Sequence, residues 1–256
     1  MKRLIIISAA LLSLCSCSIL SNINWDAGQL ISAAGKAMTA ASITDSQIIQ
    51  LSAQSVAQLD NQNRIDTGAY QARLSKLLSG VRVEGINSLN FKVYQTKEVN
   101  AFALADGSIR VYTGLMDVMD DGELMAIIGH EIGHVVHQDS KNAMKKAYMA
   151  SAARDIVASA GTLGAISSAV MGDISEAFLQ AQFSQKQEFA ADEYGFAFST
   201  AHGKSPYSMA TALEKIVKLQ GQKASEVAQM FSSHPDSEKR ASIMRKKANE
   251  YYTAKK

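Results

Sequence analysis

Apolar residues recur at Ile48, Leu51, Val56 and Leu59 among polar neighbours, the spacing of a helix that buries one face. Thr44-Asp45-Ser46-Gln47 stands just ahead of them as a capping box, which predicts a helix start there. A second helix is predicted over Ala69 to Leu78. At Asn90 the period shortens to two: Phe91-Lys92-Val93-Tyr94 alternates, and Ala101 to Leu104 and Ser108 to Tyr112 flank Ala105-Asp106-Gly107. Asp-Gly between two such runs is a turn signal, so a strand followed by a hairpin is expected. After Gly114 the helical period returns and predicts helices over 121–139, 140–159, 173–201, 206–220 and 235–251. The two prolines, Pro206 and Pro235, fall where the last two of these begin. The expected fold is α+β, mainly α-helical, with one small sheet, and residues 44–256 are read as a single domain.

Ahead of that body, the basic Met1-Lys2-Arg3 is followed by an apolar run from Leu4 to Leu14, the pattern of a secretory signal. The run is shorter than the roughly 20 residues of a spanning helix. It ends in Leu14-Cys15-Ser16-Cys17, which resembles a bacterial lipobox; the small Ser16 marks Cys17 as the lipidated residue and residues 1–16 as the part removed. The alternative is an ordinary cleaved signal with two incidental cysteines, and a disulfide framework is excluded in either case. Ser18 is not the aspartate associated with inner-membrane retention in enteric bacteria, which favours an anchor in the outer membrane. Residues 17–43, rich in Ser, Ala and Asn around Trp25, read as a tether. Loss of Lys2 and Arg3 with the signal takes the formal charge from +2 to zero, so no nucleic-acid footprint is present. The uncharged, Gly/Ala/Ser-rich stretch from Ile156 to Met171 is read either as a close-packed helical hairpin or as a loop that touches a membrane or gates a site.

The chemistry concentrates in His130-Glu131-Ile132-Gly133-His134, set within the helical pattern of Leu124, Ile127, Ile128 and Val135. A spacing of four places both imidazoles on one helix face, one turn apart, where they can meet a single ion. Glu131 lies beside them, placed to act on a water rather than to bind the metal. Imidazoles plus one carboxylate and an open position suit catalytic zinc. Burying two histidines and a glutamate among Ile and Val is costly unless they are fully partnered.

Two histidines need a third ligand. The metzincin spacing would put a glycine and a histidine at positions held by His137 and Ser140, which rules that class out. His137 is also turned about 300° from His134 and is read as a flanking residue. Gln187-Glu188-Phe189-Ala190-Ala191-Asp192 offers Glu188 and Asp192 on one helix face.

His-Glu-x-x-His followed by Glu-x-x-x-Asp resembles the gluzincin metallopeptidases. The resemblance implies Glu188 as the third zinc ligand and Asp192 as the acceptor of a ring N–H, that of His130. Asn100 to Leu104, Gly107 to Leu115, and Ser233-His234-Pro235 with Arg240 are similar to segments of the HtpX-like and CAAX prenyl endopeptidase family, in that family's order. The similarity is greatest to its small periplasmic lipoprotein members. It implies a zincin-type catalytic domain with a small β-sheet beside the zinc helix. The long membrane spans of other members are missing from this sequence, so their prenyl-protein substrates are not carried over.

The expected function is that of a zinc endopeptidase with one Zn2+ ion and Glu131 as general base, acting on unfolded or misassembled envelope proteins. Ser108, Ile109, Arg110, Val111 and Tyr112 are expected to form an edge strand that pairs with extended substrate. His234 is read in three ways: as a donor to the developing oxyanion, as an occupant of the fourth zinc position that keeps the enzyme latent, or as a helix cap. Arg240 is read as structural or as the partner of an acid near the zinc. The alternative function is a latent protease acting as assembly factor or chaperone for outer-membrane proteins, in contact with their assembly machinery.

Overall fold

The computed structural model describes residues 43–86, 89–153 and 167–254. The signal, the lipid site at Cys17 and nearly all of the tether lie outside the described residues, as does most of the segment from Ile156 to Met171. No helix among the described residues is long and apolar enough to cross a membrane.

Helix α1 (Asp45–Gln62) starts where its capping box predicts: the Gln47 N–H donates to Thr44 Oγ1 at 3.3 Å and the Thr44 N–H to Gln47 Oε1 at 2.9 Å. After α2 (Ala69–Leu77) come the three strands β1 (Asn90–Tyr94), β2 (Ala101–Ala103) and β3 (Ser108–Tyr112). The β2–β3 hairpin turns at Asp106-Gly107, where Gly107 has φ 83°, a conformation glycine adopts without a Cβ penalty.

The sheet order is β1-β3-β2, with β1 parallel and β2 antiparallel to β3. This corrects the expectation that Ser108, Ile109, Arg110, Val111 and Tyr112 form a free edge: both flanks of their strand are taken. Its faces are covered too. Ile109 and Val111 enter the core beneath the helix that bears His130 and His134, while Tyr112 packs with Tyr94 and Phe102 in a second core. Arg110 is 0 % exposed, its guanidinium bound to Asp60 of α1 through Nε at 2.7 Å and Nη2 at 2.9 Å. The alternation along this strand is that of a strand serving two cores.

Beyond the sheet run α3 (Thr113–Val118), α4 (Asp121–Val136), α5 (Asp139–Ala153), α6 (Ser168–Leu179), α7 (Gln185–Ala201), α8 (Ser208–Gln222), α9 (Ala224–Ser233) and α10 (Ser237–Ala254). The helix expected over 173–201 is two. Ser184 and Gln187 form a second capping box that starts α7 and forces a break after Leu179. Gln138 at φ 64° divides α4 from α5, and α9 arises where the pattern offered no element. Each proline precedes the first helical residue by two positions.

Helix α4 is the axis of the molecule. Its Leu124, Ile128 and Ile132 are wholly buried, each stabilising the fold by roughly 1.5–3 kcal/mol relative to exposure. It packs along α7 at unusually close range because two glycines face one another. A Cβ on Gly129 would meet Phe198 at 2.7 Å, and one on Gly195 would meet the Ala126 carbonyl at 2.6 Å and the His130 nitrogen at 2.9 Å. This approach carries the acidic face of α7 up against the histidines of α4.

Candidate metal centre

Helix α4 begins at Asp120, whose Oδ1 accepts from the Gly122 and Glu123 N–H groups at 2.8 and 2.9 Å. Its third and fourth turns present His130 and His134 on one side, with Glu131 between them, and all three are buried. Opposite, α7 presents Glu188 and Asp192, both 0 % exposed. His234, at the C-terminal end of α9, closes the group.

Each α4 histidine is oriented by a carboxylate. His130 Nδ1 lies 2.9 Å from Asp192 Oδ1 and His134 Nδ1 lies 3.0 Å from Asp139 Oδ2. With those N–H groups donated outward, both Nε2 lone pairs point inward. Asp139 is itself held by the Gln187 side-chain amide at 2.7 Å. Arg240 of α10 binds both oxygens of Asp192, at 2.7 and 2.6 Å, and pairs with Glu188 Oε2. Glu188 Oε1 is thereby the oxygen turned to the cluster.

Four ligand-type side chains converge there: His130, His134, Glu188 and His234. His130 and His134 Nε2 are 3.1 Å apart, His130 Nε2 is 3.3 Å from His234 Nδ1, His134 Nε2 is 3.3 Å from Glu188 Oε1, and His234 Nδ1 is 3.0 Å from Glu188 Oε1. A tetrahedral ion bound at about 2.0–2.1 Å has ligand atoms about 3.3 Å apart, so the donor set fits such an ion in both chemistry and spacing. Glu131 stays outside this ring, its Oε1 3.7 Å from His234 Nε2.

Protonation follows the same layout. Burial pushes His130 below the ordinary imidazole range, against the pull of Asp192. Burial opposes the charge on His134 as well, but its bonds to Asp139 and Glu188 prevail and hold it up to about 9. Burial likewise works against an ionised Glu188, yet the imidazoles of His234 and His134 keep its carboxyl far below the usual range. A cation at the centre therefore competes with a proton on His134 for the same lone pairs.

Most of the sequence-derived residues come together: His130, Glu131, His134, Glu188, Asp192, His234 and Arg240 surround one point. His137 caps the end of α4 and is exposed, turned from the cluster toward Tyr194, with ring centroids 6.1 Å apart. The strand from Ser108 to Tyr112 is not at the site; β2 is. A cleft against Glu131 and His234 is lined by Ala101 and Ala103 of β2, with Phe183 opposite. Asp139 escaped the sequence reading because one carboxylate after a helix has no recognisable spacing, and Phe183 because an aromatic in a loop has none either. Phe183 stacks on the His134 ring, centroids 3.9 Å apart.

A helix bearing two inward imidazoles and a glutamate, closed by a carboxylate from a second helix, defines a metallopeptidase of the zincin type. The comparisons with known proteins agree with that class. Residues 66–248 match peptidase family M48, and the chain belongs to that family. Metalloprotease LoiP of Escherichia coli is 40% identical over 227 residues, covering 87% of this chain and 88% of that protein. Metalloprotease YcaL of the same species is 35% identical over 243 residues, covering 93% and 92%. The beta-barrel assembly-enhancing protease of Yersinia pestis is 26% identical over 176 residues, 63% of this chain and 35% of that protein. The chain is a metalloprotease.

Proposed function

We propose that this metalloprotease is a zinc endopeptidase of the bacterial cell envelope that hydrolyses misfolded or unassembled proteins there. The observation that carries the reading is the convergence of four buried lone pairs at 3.0–3.3 Å. His130, His134 and Glu188 would hold one zinc ion. When bound, zinc supplies Lewis-acid chemistry, polarising a carbonyl and acidifying water. Glu131, anchored on the same helix and outside the ligand ring, takes the proton of the attacking water and delivers it to the leaving amine. Asp192, Asp139 and Arg240 hold the ligands in their tautomers and positions.

Substrate backbone pairs with β2 instead of β3. Asn100 and Leu104 bond to β3, through Asn100 O to Tyr112 N at 3.1 Å and Leu104 N to Ser108 O at 2.9 Å. Alternation then turns the backbone of Ala101 and Ala103 toward the side that has no strand, where the Ala101 N–H is held by Asn100 Oδ1 at 3.0 Å and must exchange that bond for substrate. Edge pairing recognises main chain, which suits loose sequence selectivity toward unfolded protein. Envelope residence, with a lipid on Cys17 and an outer-membrane anchor, rests on the lipobox-like Leu14-Cys15-Ser16-Cys17.

Of the readings of His234, the fourth-ligand one has the best support, because Nδ1 faces Glu188 and His130 at ligand spacing. The chain is then latent as folded, and His234 must withdraw before substrate binds. His234→Ala raises activity under this reading and lowers it if the ring serves the oxyanion. Latency also keeps open a role as an assembly factor for outer-membrane proteins. Envelope proteins trapped by Glu131→Gln and recovered intact, with no fragments from the wild type, would favour that second role. For the peptidase itself, Glu131→Gln should cut unfolded casein about 10²–10⁴-fold more slowly while keeping its zinc; casein cleavage at the wild-type rate contradicts the assignment.

A further inference from the structure

Glu131 and His234 line the β2 cleft, and they also line a second cavity walled by Ile127 of α4, Leu213 and Ile216 of α8 and Met230 of α9. Those four wall residues are between 1 and 4 % exposed. Arg240 borders the cavity with its guanidinium committed to Asp192 and Glu188, so the one charge without a close partner on its rim is the Glu131 carboxylate, 3.7 Å from His234 Nε2. The free space is about 10 Å³, room for roughly one water. As folded, the chamber admits no side chain, and the His234 ring stands between it and the cleft.

We infer that this chamber is the side-chain subsite for a residue adjoining the scissile bond, that it selects an aliphatic side chain of Leu, Ile or Met size, and that His234 is its stopper. This rests on the peptidase reading of the site. One withdrawal of the imidazole frees the space among His130, His134 and Glu188 and joins the apolar chamber to the β2 cleft. A charged side chain entering among Ile127, Leu213, Ile216 and Met230 would lose its water to apolar walls, and the Glu131 carboxylate on the rim would repel an acidic one. An aliphatic one would gain, and each methylene in a hydrophobic pocket discriminates by about 10-fold or more.

The test uses the full zinc-loaded chain carrying His234→Ala, digesting unfolded casein, with the new termini mapped by mass spectrometry. Leu, Ile or Met should exceed Asp and Lys by at least about 10-fold at one position flanking the cut. In that background Leu213→Ala should shift the preference toward Phe, and Leu213→Phe toward Ala and Gly. Circular dichroism checks that each variant is folded; Met230→Ala and Met230→Phe take their place if Leu213 variants are not. Profiles identical in the enlarged and filled variants, or no aliphatic preference at either flanking position, overturn the inference.

Failure of any chain to cut casein would count against the peptidase reading alone. The subsite is then decided by fluorescence anisotropy of labelled peptides differing only in a central Leu or Asp, added to the Glu131→Gln, His234→Ala chain. Leu binding at least about 10-fold tighter, lost on filling the chamber, supports the subsite, and equal binding overturns it.

Discussion

Among the described residues, the charges around the buried Arg110 and those around the buried His130 are built in opposite ways. Around Asp60, Arg110 of β3, Lys92 and the Tyr94 hydroxyl each direct a donor at a carboxylate oxygen, and Arg110 Nη1 donates to the Asn90 and Ile109 carbonyls. Donors and acceptors pair off, and what results is a clamp between α1 and the sheet. Around His130 the outer layer is paired off in the same way, by Asp192, Asp139, Gln187 and Arg240. Its inner layer is not: imidazole nitrogens and a carboxylate oxygen face one another. Convergent lone pairs inside a ring of satisfied neighbours mark a place for a cation. A closed set of donors and acceptors marks architecture.

The comparison breaks hardest at Asp60. Asp60→Ala strands the buried Arg110 guanidinium and should cost about 3–5 kcal/mol, read as a lower urea midpoint. Zinc per folded molecule should not change; loss of zinc in parallel would mean the two clusters are one network. Next in size, Asp139→Ala frees the His134 ring and should weaken zinc binding about 10–100-fold, measured by competition with a chromogenic chelator. Its urea midpoint with zinc in excess should stay near that of the wild type. An unaltered zinc affinity would make Asp139 part of the scaffold only.

The smallest effect is in acid. Burial raises the pKa of Asp60, but the bonds from Arg110, Lys92 and Tyr94 outweigh it and leave the carboxyl below its ordinary 3.8. Its stabilising effect is therefore complete above pH 4 and is lost as pH falls through the depressed value. The stability gap between wild type and Asp60→Asn should accordingly narrow between pH 4 and pH 2 in urea titrations. A gap that widens there contradicts the assignment.

How far the sequence reached differs between the same two clusters. The spacing of His130 with His134, and of Glu188 with Asp192, is fixed by one helical turn, so each pair is legible in the sequence; spacing gives the two histidines their role and the resemblance gives Glu188 and Asp192 theirs. The pairing of Asp60 with Arg110 spans fifty residues and two kinds of element, and no local rule announces it. The edge expected at β3 fails for the same reason: alternation reports which residues share a face, not what covers the face or which strand lies alongside. The break before α7 was legible in Ser184 and Gln187 but was outweighed by the continuous apolar period around it. Asp139 and Phe183 reach the centre only through the packing of α5 and the α6–α7 loop on α4.

The central claim is that the inner layer around His130 is a zinc site built from both α4 and α7. Metal analysis of the purified chain and of Glu188→Ala tests it directly. One zinc per chain, removed by chelator together with casein cleavage and largely missing from a folded Glu188→Ala protein, is the predicted result. A wild-type chain that binds no zinc when supplied with it, or a Glu188→Ala chain that keeps a full complement with undiminished affinity, would contradict it.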